Sequence, residues 1–214
     1  MLLAATGLRI HPACGCWEAP AWGSTLRAAP RLDQGIAHPQ VAAAWQGGGV
    51  TIERTVLPVP TVWAGHRTYH SQALLLPASL DDLAALVRSG QRVRAIGSRH
   101  SFTDLADSPG VLVSLNHLAQ EPVLDAEAAT VTVDAGTTYG ALGPWLHERG
   151  FALAALASLP HISVVGAVTT ATHGSGDGVT TLAGAVVGIE ILGADGQVRA
   201  RTAGDETFAG SVVA

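Results

Sequence analysis

The stretch Val93-Arg94-Ala95-Ile96-Gly97-Ser98-Arg99-His100-Ser101-Phe102 is a short apolar strand that ends in glycine and passes into small polar residues. What precedes it defines its setting. A strand over 69–76 is closed by Pro77. Ser79 then caps a helix whose first turn carries Asp81 and Asp82, suited to the positive end of the helix dipole. Leu80, Leu83, Ala84 and Val87 repeat on one face, and Gly90 stops the helix. Strand, helix and strand make a β-α-β unit, and its second strand delivers a loop over 97–107.

Farther along, 111–115 reads as a strand. Val123-Leu124 and Val131-Thr132-Val133 read as two strands joined by a polar turn at 125–129. Tyr139, Leu142 and Leu146 share one helix face that ends at Gly150, with Pro144 inside as a kink marker. Strands at 186–192 and 198–202 flank Ala194-Asp195-Gly196-Gln197, a favoured hairpin turn. Asp205 starts a helical segment. The last residues are apolar and carry no helix stop, which reads as a truncated domain.

A second polar segment answers the first. Ser158-Leu159-Pro160-His161-Ile162-Ser163 leads into Gly166 and then Thr169-Thr170-Ala171-Thr172-His173-Gly174-Ser175-Gly176. Both segments are rich in Gly, His, Ser and Thr and poor in charge. Such loops suit a large polar ligand, because glycine admits close backbone approach and hydroxyls both donate and accept. Backbone N–H groups and the helix start expected over 162–170 can hold phosphate.

Composition excludes several classes. The chain has 214 residues, a net charge of −5 and 48% hydrophobic residues, so it is long enough to bury a core and is not a disordered chain. No basic face is available to neutralise a nucleic-acid backbone. All 12 basic residues are arginine, which excludes a Walker A lysine and a Schiff-base lysine within these residues. Cys14 and Cys16 are too few for a disulfide framework or a zinc knuckle, and a reducing cytoplasm is the expected compartment. No apolar run reaches the ~20 residues of a membrane span.

Generic motifs add little. Gly174-x-Gly176-x-Gly178 is not the dinucleotide fingerprint, and Ser175 with His173 lacks the G-x-S-x-G elbow of a hydrolase. His100, Asp104, His161 and His173 do not show metal-ligand spacing, so no metal is expected. His66, His70, His117 and His147 read as ordinary core or surface histidines.

Residues 1–57 read differently. Pro12, Pro20, Pro30 and Pro39 punctuate them, Trp17, Trp22 and Trp45 are scattered, and Gly47-Gly48-Gly49 adds a flexible break. They are expected to be an irregular extension. One reading gives them a partner role; the favoured one makes them an over-extended gene start. The regular, folded part of the chain is expected over 58–214.

His100-Ser101-Phe102 after Gly97, together with 157–164 and Thr172-His173-Gly174-Ser175-Gly176, resembles the FAD-linked oxidases of the vanillyl-alcohol-oxidase type. Alditol oxidases are most similar, and aldonolactone oxidases next. The resemblance covers about 61–214. It implies an α+β fold, a PCMH-type FAD-binding domain of two α+β subdomains, incomplete at its C-terminus, with the substrate domain absent. It implies FAD joined covalently to His100, and a pyrophosphate wrapped by Ile96, Gly97, Ser98, Arg99, His100, Ser101 and Phe102. Ser163, Gly166, Thr170, Thr172, His173 and Gly176 would line the rest of the FAD, and Ser158 would face the substrate. The covalent link would raise the flavin's potential and prevent its loss. The implied activity is oxidation of a polyol by O2 with release of H2O2. An aldonolactone oxidase and a non-catalytic remnant are the alternatives. The family often has glycine before the linking histidine, where this chain has Arg99.

Overall fold

The computed structural model describes residues 4–10, 40–42, 44–53, 55–178, 180–208 and 212. It contains two five-stranded sheets and a small hairpin. Readings that fall on 11–39, Cys14, Cys16, Trp17 and Trp22 among them, lie outside the described residues.

In chain order the strands are β1 (Ala4–Ile10), β2 (Gln40–Ala42), β3 (Trp45–Gly47), β4 (Val50–Ile52), β5 (Thr55–Leu57) and β6 (Ala73–Leu75). Helix α1 (Leu80–Arg88) precedes β7 (Val93–Ala95) and β8 (Val111–Val113). Then come β9 (Val123–Asp125), β10 (Thr130–Asp134), α2 (Tyr139–His147), α3 (Val164–Thr169), β11 (Val186–Leu192) and β12 (Val198–Thr202).

The first α+β unit has strand order β2-β5-β6-β8-β7, with β6, β8 and β7 parallel. Parallel strands of one sheet need a crossover, and α1 supplies it between β6 and β7, which flank β8. Ser79 Oγ accepts a hydrogen bond from the Asp82 N–H at 3.1 Å, as its capping role requires. Leu83, Ala84, Leu86 and Val87 of α1 pack on Leu75, Val93, Val111 and Val113 of the sheet. Leu80, expected on that face, is instead 42% exposed, because it lies in the first turn at the edge of the packed surface. On the opposite sheet face Leu112 joins Val62, Tyr69 and Ile96 in a smaller cluster beneath the loop that follows β7.

The second unit is the antiparallel sheet β12-β11-β1-β10-β9, with α2 and α3 packed against it. Tyr139, Leu142 and Leu146 of α2 are buried as expected, and α2 continues past Pro144 to His147. The Asp195-Gly196 hairpin joins β11 and β12.

Four expectations are corrected. Residues 1–57 are not irregular where described: they form β1 to β5. β1 lies between β10 and β11, with Leu8 and Ile10 buried and Arg9 exposed between them. That alternation is only three residues long, too short to stand out as a period of two. Gly48 and Gly49 are not a flexible break but the β3–β4 turn, both at positive φ (60° and 79°), as a tight hairpin turn demands. The strand expected over 69–76 is only Ala73–Leu75, because the His70 N–H bonds the Asp107 carboxylate (3.0 Å) rather than a strand partner. After Asp205 the described residues to 208 form turns, with the Asp205 carboxylate accepting from the Thr202 N–H. No described helix is long and apolar enough to cross a membrane.

Candidate functional site

The loop after β7 belongs to the parallel unit, and the segment 158–166 belongs to the antiparallel unit. Ser98 joins them. Its hydroxyl donates to the His161 carbonyl (2.7 Å) and accepts from the Ser163 N–H (2.7 Å). Gly97 and Gly166 both close on the same atom: a Cβ on either would press into Ser163 Oγ. Glycine at both positions leaves room for the Ser163 side chain. Val164 N–H, at the start of α3, is taken by the Thr137 carbonyl (2.9 Å).

Above this junction three rings gather. The Nε2 atoms of His100 and His161 are hydrogen-bonded to each other. The Trp63 indole stacks on His100, with centroids 4.5 Å apart, and lies 6.0 Å from His161. Trp63 is half exposed, and its backbone N–H donates to the Arg99 carbonyl (2.9 Å). Burial, His161 and Arg99 together push the His100 pKa below that of a free histidine, so a neutral ring is favoured. Trp63 was not singled out from sequence. The available signal was an aromatic residue beside Gly65 in a polar loop, too generic to assign.

Arg99 occupies the left-handed region, φ 63°. This is a physical reason for glycine at such a position. Arg99 is held there by its own contacts: Nη1 donates to the Thr61 carbonyl (2.8 Å), and its carbonyl accepts from Trp63.

The remaining candidates are distributed unevenly. Ile96 is buried in the lower cluster, and its N–H donates to the Val113 carbonyl, so only its carbonyl is left to face a ligand. Ser101 Oγ pairs with Thr103 Oγ1 (3.0 Å). Phe102 is 72% exposed and stacks on His66. Ser158 is exposed near the junction in sequence. Thr170 Oγ1 is bonded back to the Gly166 carbonyl, and Thr172 is fixed through its N–H to Ala167 and its carbonyl to Leu182. His173 and Gly176 are exposed, and His173 Nδ1 reaches only the adjacent Gly174 carbonyl. Among the described residues no hydrogen bond or ring contact joins 172–178 to 97–102.

The donor set fits a flavin dinucleotide. Neither 96–102 nor 158–176 contains a carboxylate that would repel pyrophosphate. Gly174 and Gly178 face open space, so backbone approach there is unobstructed. The Tyr69 and Thr137 hydroxyls, on segments flanking the junction, are buried without a partner among the described residues. Those residues also hold no group of three or more metal-ligating side chains. The apolar hollow between α1 and the turn before α2, lined by Leu80, Leu83, Leu115, Leu118 and Gly136, includes none of the candidate residues.

Comparison with known proteins agrees. The FAD binding domain family matches residues 71–201. An alditol oxidase of a Streptomyces species is 41% identical over 155 residues, 71% of this chain and 37% of that protein. An L-gulono-1,4-lactone dehydrogenase of Mycobacterium tuberculosis is 34% identical over 159 residues, 72% of this chain and 37% of its own length. A chitooligosaccharide oxidase structure superposes with a TM-score of 0.60 at 17% identity, covering 68% of this chain and 33% of that one. The chain thus spans about a third of the length of these relatives.

Proposed function

The chain belongs to the FAD binding domain family, whose cofactor is FAD, and from that premise we propose that it is the cofactor-holding part of an oxidase that acts on a polyol and passes electrons to O2. The observation that carries this reading is the Ser98 bridge, which sets His100 beside the segment leading from Ser158 to α3. The 41% identity to an alditol oxidase favours a polyol. An aldonolactone is the second reading, favoured by the 34% identity to a lactone dehydrogenase.

When bound, the flavin supplies the hydride acceptor and the route by which the electrons reach O2. The residues of this chain do the rest. His100, neutral and half-buried, is the attachment point. The backbone of 97–101 and the start of α3 hold the pyrophosphate side. Gly166, Thr170, Thr172, His173 and Gly176 lie along the remainder, and Ser158, exposed, meets the substrate hydroxyl. Arg99 supports the loop from its outer side and keeps the pyrophosphate approach open.

Peptide mapping of the complete protein by mass spectrometry tests the attachment. An FAD adduct is expected on the peptide containing His100, and none in His100→Ala. Flavin that survives denaturation in that variant would refute the assignment. H2O2 release with a sugar alcohol but not a lactone decides between the substrate classes, and the reverse pattern selects the lactone reading.

A further inference from the structure

Residues 96–110 join β7 to β8 without helix or strand. Loops of that length are uncommon in a folded domain unless they serve a site. Ser98 fixes the front half of this one to the antiparallel unit. The rear half is held by another segment, 61–71, which runs beside the loop in step with it. Thr61 and Trp63 meet Arg99 through backbone groups. The His66 ring stacks on Phe102, and its Nε2 lies 3.3 Å from the Phe102 carbonyl. Arg67 pairs with Asp104 at 3.5 Å. His70 and Ser71 then meet Asp107 and Ser108.

These rungs are unequal. The Arg67–Asp104 pair is exposed, and such pairs contribute little. The Asp107 carboxylate is nearly buried, with 10% of its side chain exposed. It accepts from the His70 N–H (3.0 Å), from His70 Nδ1–H (2.7 Å) and from the Ser108 N–H (2.8 Å). An ionised carboxylate can only accept, so His70 carries a proton on Nδ1. Burial would raise the Asp107 pKa, yet the bonds from His70 and Ser108 outweigh it and hold the group below the usual carboxylate range. Charge-assisted bonds of this kind are the strong ones. Ser71 Oγ adds a bond to the Ser108 carbonyl (2.7 Å).

We propose that Asp107, buckled to His70, is a positioning residue for the cofactor: it fastens the rear of loop 96–110 to the 61–71 strap and so keeps the front of the loop in the shape that receives the pyrophosphate of FAD. The proposal rests on the reading of 97–101 as the backbone that holds the pyrophosphate. Both residues act through the loop and not by contact with the dinucleotide. A loop that samples other shapes binds its ligand more weakly, in proportion to the time it spends outside the competent one. The buckle is therefore a determinant of cofactor affinity, built from two residues outside the two glycine- and histidine-rich segments.

The test uses the complete protein prepared without flavin and titrated with FAD lacking the 8-methyl carbon, so that no covalent bond can form and binding stays reversible. Affinity is read from flavin fluorescence, and thermal unfolding of the flavin-free protein is read beside it. His70→Ala removes an exposed ring and leaves the fold intact. It is expected to weaken binding about tenfold, the scale of one hydrogen bond to a charged group. His70→Asn places an amide N–H near the position of Nδ1 and is expected to restore the native affinity. Asp107→Ala removes every bond of the buckle and is expected to weaken binding about a hundredfold. A merely structural role would lower the unfolding midpoint and leave the affinity of the folded protein unchanged. Native affinity in both His70→Ala and Asp107→Ala overturns the proposal and leaves the pyrophosphate reading of 97–101 intact. Failure of His70→Asn to bind better than His70→Ala also overturns it. An unsubstituted protein that does not bind the analogue overturns both the proposal and that reading.

Discussion

The loop 97–102 and the loop 172–178 carry the same kinds of residue, yet different things hold them. The first is tied at nearly every position. Ser98 makes two bonds of 2.7 Å to the other unit, Arg99 is anchored to Thr61, and His100 is flanked by two rings. Among the described residues the second is pinned at its root, through Thr172, and then runs exposed past Gly174 and Gly178, where an added Cβ would meet no atom. Glycine therefore has two meanings in this site. In 97–102 it lets protein approach protein. In 172–178 it leaves room that the protein does not fill. The first loop is a part of the fold that also carries the proposed attachment histidine; the second leaves its glycine backbone open.

The largest expected effect breaks the first loop. Ser98→Ala removes both bridging bonds and strands the N–H of Ser163, a residue 3% exposed, and the His161 carbonyl. A loss of about 2–3 kcal/mol is expected from orphaning two such groups, read as a lower denaturation midpoint. A variant of native stability would mean the two units are held by their apolar contacts alone.

A glycine pair sharpens the contrast. Gly97→Ala drives a methyl group into Ser163 Oγ and is expected to cost about 1–2 kcal/mol through overpacking. Much of that cost should disappear in the Ser163→Ala background, since the clash is with the hydroxyl. Gly174→Ala meets no atom within 4 Å and is expected to change stability by less than about 0.5 kcal/mol while weakening FAD binding. Equal effects of the two alanines in thermal unfolding would erase the distinction between the loops.

Much of this was legible in the sequence, for local reasons. α1 is written out by Ser79, two aspartates and an apolar face, and the β11–β12 hairpin by Asp195-Gly196. Both polar segments were visible as clusters. What was not legible is what depends on distant partners. β1 has only Leu8 and Ile10 to mark it, and its place in the middle of a sheet is set by β10 and β11, more than a hundred residues away. Ser98 looked like one more ligand-facing hydroxyl; its work between the units depends on residues 63 and 65 positions later. Trp63 reads as a stray aromatic until His100 and His161 are placed beside it.

The smallest expected effect concerns Arg99, the one position in 97–102 where sequence and backbone disagree. A non-glycine residue at φ 63° costs about 1–2 kcal/mol, so Arg99→Gly relieves strain. The same change adds chain entropy to the unfolded state, about 0.5–1 kcal/mol, and deletes the bond from Nη1 to the Thr61 carbonyl, about 1 kcal/mol. These nearly cancel, and a net change under about 1 kcal/mol is expected by thermal unfolding. Arg99→Ala keeps the strain and loses the bond, so it should be the less stable of the two variants. If instead Arg99→Gly were strongly destabilised, the guanidinium would hold the Trp63 loop more firmly than one hydrogen bond implies. The tightness of loop 97–102 would then come from its outer side and not from Ser98.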